Sequence, residues 1–287
     1  MPHPGNSKAI LEPFSNYAKR MKSVKEIKVK FRGFIEDHLY LLNARWSLKK
    51  KIYLISYFRS GSTLLRTHFS ILQGRPQLSV YKGDVVRQEN TPLTNALDHI
   101  NLIKSHTFNP KYRDIVYIIR DGRNAMISNL YMEFLWGGHS FSKLRDIYEG
   151  IRYLSEKGHF WGDHVRRALY ESAKKNVLFI RYEDLINDPS DTLKRILSFM
   201  GTDLSGDTIN DCISIAKERN SYFENPHNGY EYEPEEDSIY YLLKKHRSED
   251  YWKVIFDDRT KRYFHERGGT EFLLRFGYEE SEDWWKL

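Results

Sequence analysis

The sequence predicts an α/β domain whose parallel sheet is flanked by helices on both faces. Four short apolar runs have the length and composition of buried strands, at residues 52–55, 101–104, 115–119 and 177–180. Helical apolar patterns separate or follow these runs, and strands that alternate with helices favour parallel pairing. The chain has 287 residues, 40% of them hydrophobic, which is enough for one extensive core.

The predicted helices follow the strands in chain order, at residues 63–73, 123–134, 163–174 and 191–200. The break at residues 188–190 contains a proline, and Ser190 or Asp191 can cap the helix after it. Residues 220–237 are polar and poorly periodic, which predicts a long loop. We therefore expect one domain over residues 51–287, preceded by a basic and helical extension over residues 1–50.

Composition excludes several classes of protein. No window approaches 18 uncharged apolar residues, so no membrane-spanning helix is expected. The single cysteine, Cys212, excludes an internal disulfide framework and a thiolate metal cluster. The histidines form no H-E-x-x-H pattern, and we expect no catalytic metal. The first residues lack an apolar secretory core, so the expected location is the cytoplasm.

Positive charge is concentrated near the N terminus. Residues 17–51 contain eleven basic and three acidic side chains, whereas the net formal charge of the whole chain is only +6. A basic amphipathic helix there can contact an anionic membrane surface or nucleic acid. The alternative is a solvated helix that packs on the body through apolar residues at helical spacing. Since the rest of the chain is not net positive, it is not expected to bind nucleic acid.

A glycine- and serine-containing loop follows the first predicted strand. Residues 57–65 read YFRSGSTLL, and a helix pattern comes next. A strand, such a loop and a helix form an anion site, because backbone amides and the helix dipole favour negative charge. The loop lacks the second glycine and the lysine of a nucleoside-triphosphate P-loop.

Five segments in a fixed order resemble those of sulfotransferases that use 3′-phosphoadenosine 5′-phosphosulfate (PAPS), in particular the cytosolic type. The segments are residues 57–64, 104–106 (KSH), 117–128 (YIIRDGRNAMIS), 161–189 (with WGDHV and VLFIRYEDLINDP) and 243–256 (LKKHRSEDYWKVIF). The fold that this resemblance implies is a P-loop-like α/β domain, in agreement with the strand and helix pattern.

The resemblance implies one set of residues that contacts the nucleotide. The 5′-phosphosulfate loop supplies Arg59, Ser60, Gly61, Ser62, Thr63 and Leu64. The 3′-phosphate is expected to lie between Arg120 and Ser128, with further charge from Lys245 and Arg247. The tyrosine at the end of the fourth predicted strand, Tyr182, is expected to contact the nucleotide as well.

The catalytic candidates are His106, Lys104 and Arg59. A neutral imidazole can take the proton from an acceptor hydroxyl, so His106 is the candidate general base. Negative charge develops on the leaving phosphate oxygen, where Lys104 and Arg59 are the cations available to stabilise it. Only Lys104 can also donate a proton there, because the pKa of an arginine is too high. A carboxylate remains possible as the base, since some related sulfotransferases use Asp or Glu.

Three departures from the family pattern concern the nucleotide site. The loop has Arg59 where the family often has lysine, although carbohydrate-type members often have arginine. Leu64 occupies the place of an aromatic residue that often stacks on adenine. The C-terminal basic loop reads Lys245-His246-Arg247 and lacks the glycine of the family's Arg-Lys-Gly.

Two other functions remain open at this point. A P-loop kinase that uses ATP and Mg²⁺ would need a carboxylate for the metal, and Asp121 is the candidate. A non-enzymatic adaptor would bind a membrane or nucleic acid through residues 17–51. The favoured function is sulfuryl transfer from PAPS to a hydroxyl or amine of a small-molecule or carbohydrate acceptor, which the sequence does not identify.

Overall fold

A five-stranded parallel sheet forms the centre of the protein, which a computed structural model describes over residues 48–81, 84–86, 92–137, 146–223 and 251–286. The strands are β1 (Lys50–Ser56), β2 (Leu78–Ser79), β3 (Ile100–Ser105), β4 (Asp114–Ile119) and β5 (Asn176–Arg181). Their order in the sheet is β2-β3-β1-β4-β5, and every neighbouring pair is parallel. The predicted fold class is therefore confirmed.

The central strands β1 and β4 are buried on both faces, which explains their continuous apolar runs. On one face, Ile55, Ile115 and Tyr117 belong to a first hydrophobic cluster. On the other face, Leu54 and Val116 belong to a second cluster. Each of these five side chains is fully buried, so the sheet separates two cores.

Helices cover both faces of the sheet. In chain order they are α1 (Ser62–Gln73), α2 (Gly122–Gly137), α3 (Ile147–Glu156), α4 (Trp161–Ser172), α5 (Tyr182–Asn187), α6 (Pro189–Met200), α7 (Gly206–Phe223), α8 (Trp252–Ile255), α9 (Asp258–Glu266) and α10 (Gly269–Arg275). A 3₁₀ turn (Trp284–Lys286) follows. The first cluster contains residues of α2, α3, α4 and α8 to α10. The second cluster contains residues of α1 and α5 to α7.

The four predicted strands lie within β1, β3, β4 and β5, and three predicted helices lie within α1, α2 and α6. The helix predicted at residues 163–174 instead begins and ends two residues earlier, as α4. The cap prediction for α6 was wrong, because the Asp188 side chain accepts a hydrogen bond from the Asp191 amide and Pro189 occupies the first turn.

The prediction of a loop at residues 220–237 was wrong for residues 220–223, which are helical and form the end of α7. The rest of that segment lies outside the described residues, as do residues 1–47. The helical extension and the domain boundary after residue 50 therefore stay predictions. No helix in the described part of the chain combines the length and apolar character needed to cross a membrane.

A buried arginine ties the C-terminal segment to the end of β4. Arg123 is 2% exposed, and its Nη2 lies 2.6 Å from Asp121 Oδ2 while its Nη1 lies 2.6 Å from Glu279 Oε2. Its guanidinium also lies 3.6 Å from the ring centroid of Trp252 and 4.8 Å from that of Trp284. Charge neutralisation and stacking compensate the cost of burying this cation.

Truncation of Leu54 should test the sheet-centred core. Leu54→Ala on β1 removes a fully buried side chain, and we expect the free energy of unfolding to fall by about 2–5 kcal/mol. Chemical denaturation measures the change. Val254→Ala is the control, because Val254 is 67% exposed and should change stability by less than about 0.5 kcal/mol. Equal losses of unfolding free energy in both variants would contradict a core that is built on β1.

Candidate functional site

The residues singled out in the sequence meet at one edge of the sheet. Arg59 follows β1, Lys104 and His106 lie at the end of β3, Arg120 follows β4, and Tyr182 follows β5. Parallel strands bring their carboxyl ends to the same edge, where ligands of open α/β sheets bind. Leu54 pairs with Lys104, and Ile119 pairs with Arg181, which fixes the relative heights of these segments.

The loop between β1 and α1 has a backbone that suits an anion. Arg59 adopts a left-handed conformation with φ of 60°, and Gly61 precedes α1 with φ of 93°. A Cβ at Gly61 would lie 2.5 Å from Cδ2 of Tyr182, so only glycine permits this close approach. Among the described residues no side chain caps the start of α1. Its first amides and its helix dipole therefore face the loop.

Arg59, Ser128, Arg120 and Tyr182 contact one another. Arg59 Nε lies 3.4 Å from Ser128 Oγ, and Arg120 Nη1 donates to the Arg59 carbonyl oxygen at 2.9 Å. The Arg120 guanidinium lies 4.6 Å from the ring centroid of Tyr182. The structure thus brings together the loop expected at the 5′ end of the nucleotide and the pair expected at its 3′-phosphate.

The other loop residues have less direct roles. Ser60 is fully buried, and its hydroxyl donates to the Phe58 carbonyl oxygen at 3.4 Å. Ser62 and Thr63 begin α1. Leu64 is partly buried and packs against the second hydrophobic cluster. It therefore contributes to the core and does not replace the aromatic residue that often stacks on adenine in the family. Lys245 and Arg247 lie outside the described residues.

The imidazole of His106 is held in one orientation and is neutral. Its Nδ1 lies 2.8 Å from the Ser56 carbonyl oxygen, which can only accept, so Nδ1 carries the proton and Nε2 is the unprotonated nitrogen of the neutral ring. Burial, and then the charge of Lys104, lower the pKa of His106 to about 4. The ring lies between Phe58, at a centroid distance of 4.4 Å, and Tyr81, at 5.6 Å. His106 is therefore neutral at physiological pH.

A second histidine supports the main chain of His106. His164 Nε2 donates to the His106 carbonyl oxygen at 2.8 Å, and its Nδ1 accepts from the Tyr117 hydroxyl at 2.8 Å. Burial lowers the pKa of His164 to about 4, which keeps this ring neutral too. Trp161 on the same helix is fully buried and packs in the first hydrophobic cluster, whereas His164 also fixes the segment that carries His106.

Lys104 is paired with a carboxylate for which the sequence offers no motif. Its Nζ lies 2.9 Å from Asp84 Oδ2, and the other carboxylate oxygen lies 2.8 Å from Arg66 Nη1. Burial lowers the pKa of Lys104, and Asp84 opposes that shift. Burial alone would raise the pKa of Asp84, but the bonds and charges of Arg66 and Lys104 outweigh it and lower the pKa to about 2.

A cavity of about 230 Å³ opens beside Arg120. It is lined by aromatic rings and by charged groups, including Tyr182, Trp252, Lys253 and Tyr278. Asp121 and Glu279 also line it, and both carboxylates form salt bridges with Arg123. The sequence pointed to this cavity only through Trp252 and Lys253, which belong to the last of the five resembling segments and were given no role there.

The protonation of His106 can be measured directly. Its imidazole should titrate with a midpoint of about 4 rather than the ordinary value of about 6.5, because burial and Lys104 disfavour the charged form. A ¹H–¹³C NMR titration between pH 3 and 8 measures the midpoint, and His106→Asn assigns the resonance. A midpoint near 6.5 would contradict the buried and neutral state described above.

Comparisons with known proteins identify the family of this domain. The model of the sulfotransferase domain matches residues 49–271. A WSCD family member of Aedes aegypti is 24% identical over 213 residues, which are 69% of this chain and 64% of that protein. Sulfotransferase 2A1 of Rattus norvegicus is 27% identical over 114 residues, 38% of this chain and 39% of that protein. The chain thus spans less than two thirds of either relative.

The fold likewise resembles a solved structure, that of mouse sulfotransferase SULT7A1 complexed with PAP. The TM-score is 0.51 at 18% identity, and the likeness covers 77% of this chain and 82% of that one. This similarity concerns the fold alone. The match to the sulfotransferase domain model extends over most of the chain and includes all five strands, and the chain therefore belongs to the sulfotransferase domain family.

Proposed function

We propose that the protein transfers a sulfuryl group from PAPS to the hydroxyl or amine of an acceptor. The observation that carries the proposal is the contact between Arg59, Arg120, Ser128 and Tyr182 at the sheet edge that also bears Lys104 and His106. Two groups of anion-binding side chains next to a neutral base suit a donor with phosphates at both ends of one adenosine.

The loop and its neighbours would hold the two ends of the donor. The amides at the start of α1, with Ser62 and Thr63, suit the 5′-phosphosulfate because they offer donors and a positive dipole end. Arg120 and Ser128 suit the 3′-phosphate, since a guanidinium can bind it with two hydrogen bonds and a hydroxyl adds a third. Lys245 and Arg247 are proposed to add charge there.

Tyr182 is proposed to border the nucleoside. Its ring lies against Gly61 on one side and near the Arg120 guanidinium. The cavity beside it also contains the Trp252 ring. An aromatic wall next to an arginine is a suitable surface for a purine nucleoside that carries a phosphate.

The chemistry assigned to the residues follows from their protonation states. His106 Nε2 takes the proton of the acceptor hydroxyl while the acceptor oxygen bonds to sulfur and the bond from sulfur to the phosphate oxygen breaks. Lys104 and Arg59 stabilise the negative charge that develops on that leaving oxygen. Lys104 can also return a proton to it, which Arg59 cannot do because its pKa is too high.

The acceptor would approach His106 between aromatic side chains. Phe58 and Tyr81 flank the imidazole, and Phe108 lies near His164 at a centroid distance of 5.6 Å. These side chains favour an apolar or aromatic acceptor that presents a hydroxyl. A relative from Cavia porcellus, named 3-alpha-hydroxysteroid sulfotransferase, is 29% identical over 108 residues, and an acceptor of that kind is a reasonable first choice for a screen.

The kinase alternative is less favoured by the site. Both oxygens of Asp121, the carboxylate it would need, accept hydrogen bonds from Arg123. The adaptor alternative rests on residues 17–51, most of which lie outside the described residues. A cytoplasmic location and a membrane contact through that segment likewise stay predictions.

Binding of the desulfated product should identify the donor. We expect 3′,5′-ADP to bind more tightly than ATP with Mg²⁺ in isothermal titration calorimetry. Arg120→Met should weaken 3′,5′-ADP binding by roughly 10- to 100-fold, because it removes charged hydrogen bonds to the 3′-phosphate. Binding of 5′-AMP, which lacks that phosphate, should change by less than about threefold. Equal losses for both ligands, or tighter binding of ATP, would count against the proposal.

Removal of the base should affect turnover and leave donor binding intact. His106→Ala should lower kcat by about 10²- to 10⁴-fold in an assay with ³⁵S-labelled PAPS and hydroxysteroid or phenol acceptors. The affinity for 3′,5′-ADP should stay within about threefold of the wild-type value. Turnover at the wild-type rate would exclude His106 as the base and point to a carboxylate instead.

A further inference from the structure

Asp84 lies between two buried cations, Arg66 and Lys104, at the sheet edge that carries His106. Its two carboxylate oxygens are divided between two cations, with Oδ1 at 2.8 Å from Arg66 Nη1 and Oδ2 at 2.9 Å from Lys104 Nζ. Arg66 is fully buried, and the side chain of Lys104 is only 12% exposed. Neither cation is therefore well solvated by water, and the carboxylate supplies the compensating charge.

Arg66 fixes Asp84 more firmly than a surface contact would. Its Nη2 donates to the backbone carbonyl oxygens of Gln77, at 3.0 Å, and of Asp84, at 2.8 Å. One guanidinium on α1 thus binds both the side chain and the main chain of Asp84. Because the carboxylate is immobilised by α1, it can define where the Lys104 ammonium lies.

The charges around Lys104 would otherwise favour its neutral form. Arg66 on α1, Arg59 in the loop and burial each disfavour the ammonium, and Asp84 is the anion that opposes them. Among the described residues, His106 is a further titratable neighbour, and it is neutral at physiological pH. Asp84 is therefore the described group that favours the charged form of Lys104 over the neutral form.

We propose that Asp84 is a positioning residue that keeps Lys104 protonated and directed at the sheet edge beside His106. The proposal rests on the sulfuryl transfer proposed above, in which Lys104 stabilises the leaving oxygen. Asp84 does not contact the donor or the acceptor in this role. It acts through Lys104, so its effect on turnover should vanish when Lys104 is absent.

The first test is a double-mutant cycle. Asp84→Asn keeps an acceptor for Arg66 but replaces the oxygen that faces Lys104, and we expect kcat at pH 7 to fall by about 10- to 100-fold. In a Lys104→Met background the same substitution should change kcat by less than about threefold. Equal losses in the two backgrounds would overturn the proposal, since they would show an effect that does not pass through Lys104.

The second test measures the ionisation of Lys104 without turnover. Competitive acylation with acetic anhydride, read by mass spectrometry across pH 6–11, gives the midpoint at which Lys104 becomes reactive. Asp84→Asn should move this midpoint to lower pH, and the alkaline limb of kcat should move in the same direction because the ammonium is lost earlier. An unchanged midpoint would overturn the proposal. If Asp84 had a purely structural role, its substitution would shift neither the acylation midpoint of Lys104 nor the alkaline limb of kcat.

Two controls separate the possible failures. If Asp84→Asn does not fold by circular dichroism, the double variant Asp84→Asn/Arg66→Gln removes the uncompensated buried charge. Lys104 still loses its partner, so the midpoint should again fall, but by less, because Arg66 no longer disfavours the ammonium. If the wild-type protein transfers no sulfuryl group but the acylation midpoint falls in Asp84→Asn, the proposed function is wrong while the control of Lys104 by Asp84 stands.

Discussion

The site depends on the parallel pairing of β1 with β3 and β4. Leu54 lies opposite Lys104 and Ser56 lies opposite Ile118, so all three strands deliver their next residues to the same edge. The Ser56 carbonyl oxygen at the end of β1 is also the acceptor that fixes the tautomer of His106 after β3. A slip of one residue in either pairing would turn these side chains to opposite faces and separate His106 from the loop.

Burial and charge compensation act together at this edge. Arg66 and Arg123 are both nearly inaccessible to solvent, and each is neutralised by carboxylates at short distance. Both arginines hold backbone as well as side chains, Arg66 at Asp84 and Arg123 at Tyr278. Such pairs contribute little net stability compared with apolar packing, but breaking one is costly because a bare charge remains buried. Their effect is to fix the segments on either side of the proposed nucleotide site.

The sequence was sufficient for four of the five strands because buried parallel strands are apolar on both faces, as residues 115–119 are. The two-residue β2 forms no apolar run and was not predicted. The sequence also sufficed to assign Arg59, Arg120, Ser128 and Tyr182 to one nucleotide site, because the resemblance to sulfotransferases rests on motifs that contain these residues. Asp84 could not be found this way, because an isolated acidic residue in a loop gives no periodic signal and its importance comes from Arg66 in three dimensions. His164 could not be found this way either, since a histidine on an amphipathic helix usually packs, and only its hydrogen bonds reveal that it holds the His106 main chain.

The position of Trp252 has a practical consequence for studying this protein. Its indole lines the cavity beside Arg120 and stacks on the Arg123 guanidinium, so it is next to a fixed charge and next to any occupant of that cavity. Trp161, by contrast, is sealed in the first hydrophobic cluster. Among the six tryptophans of the chain, Trp252 is therefore one whose emission should respond to an occupant of the cavity, whereas the emission of Trp161 should not.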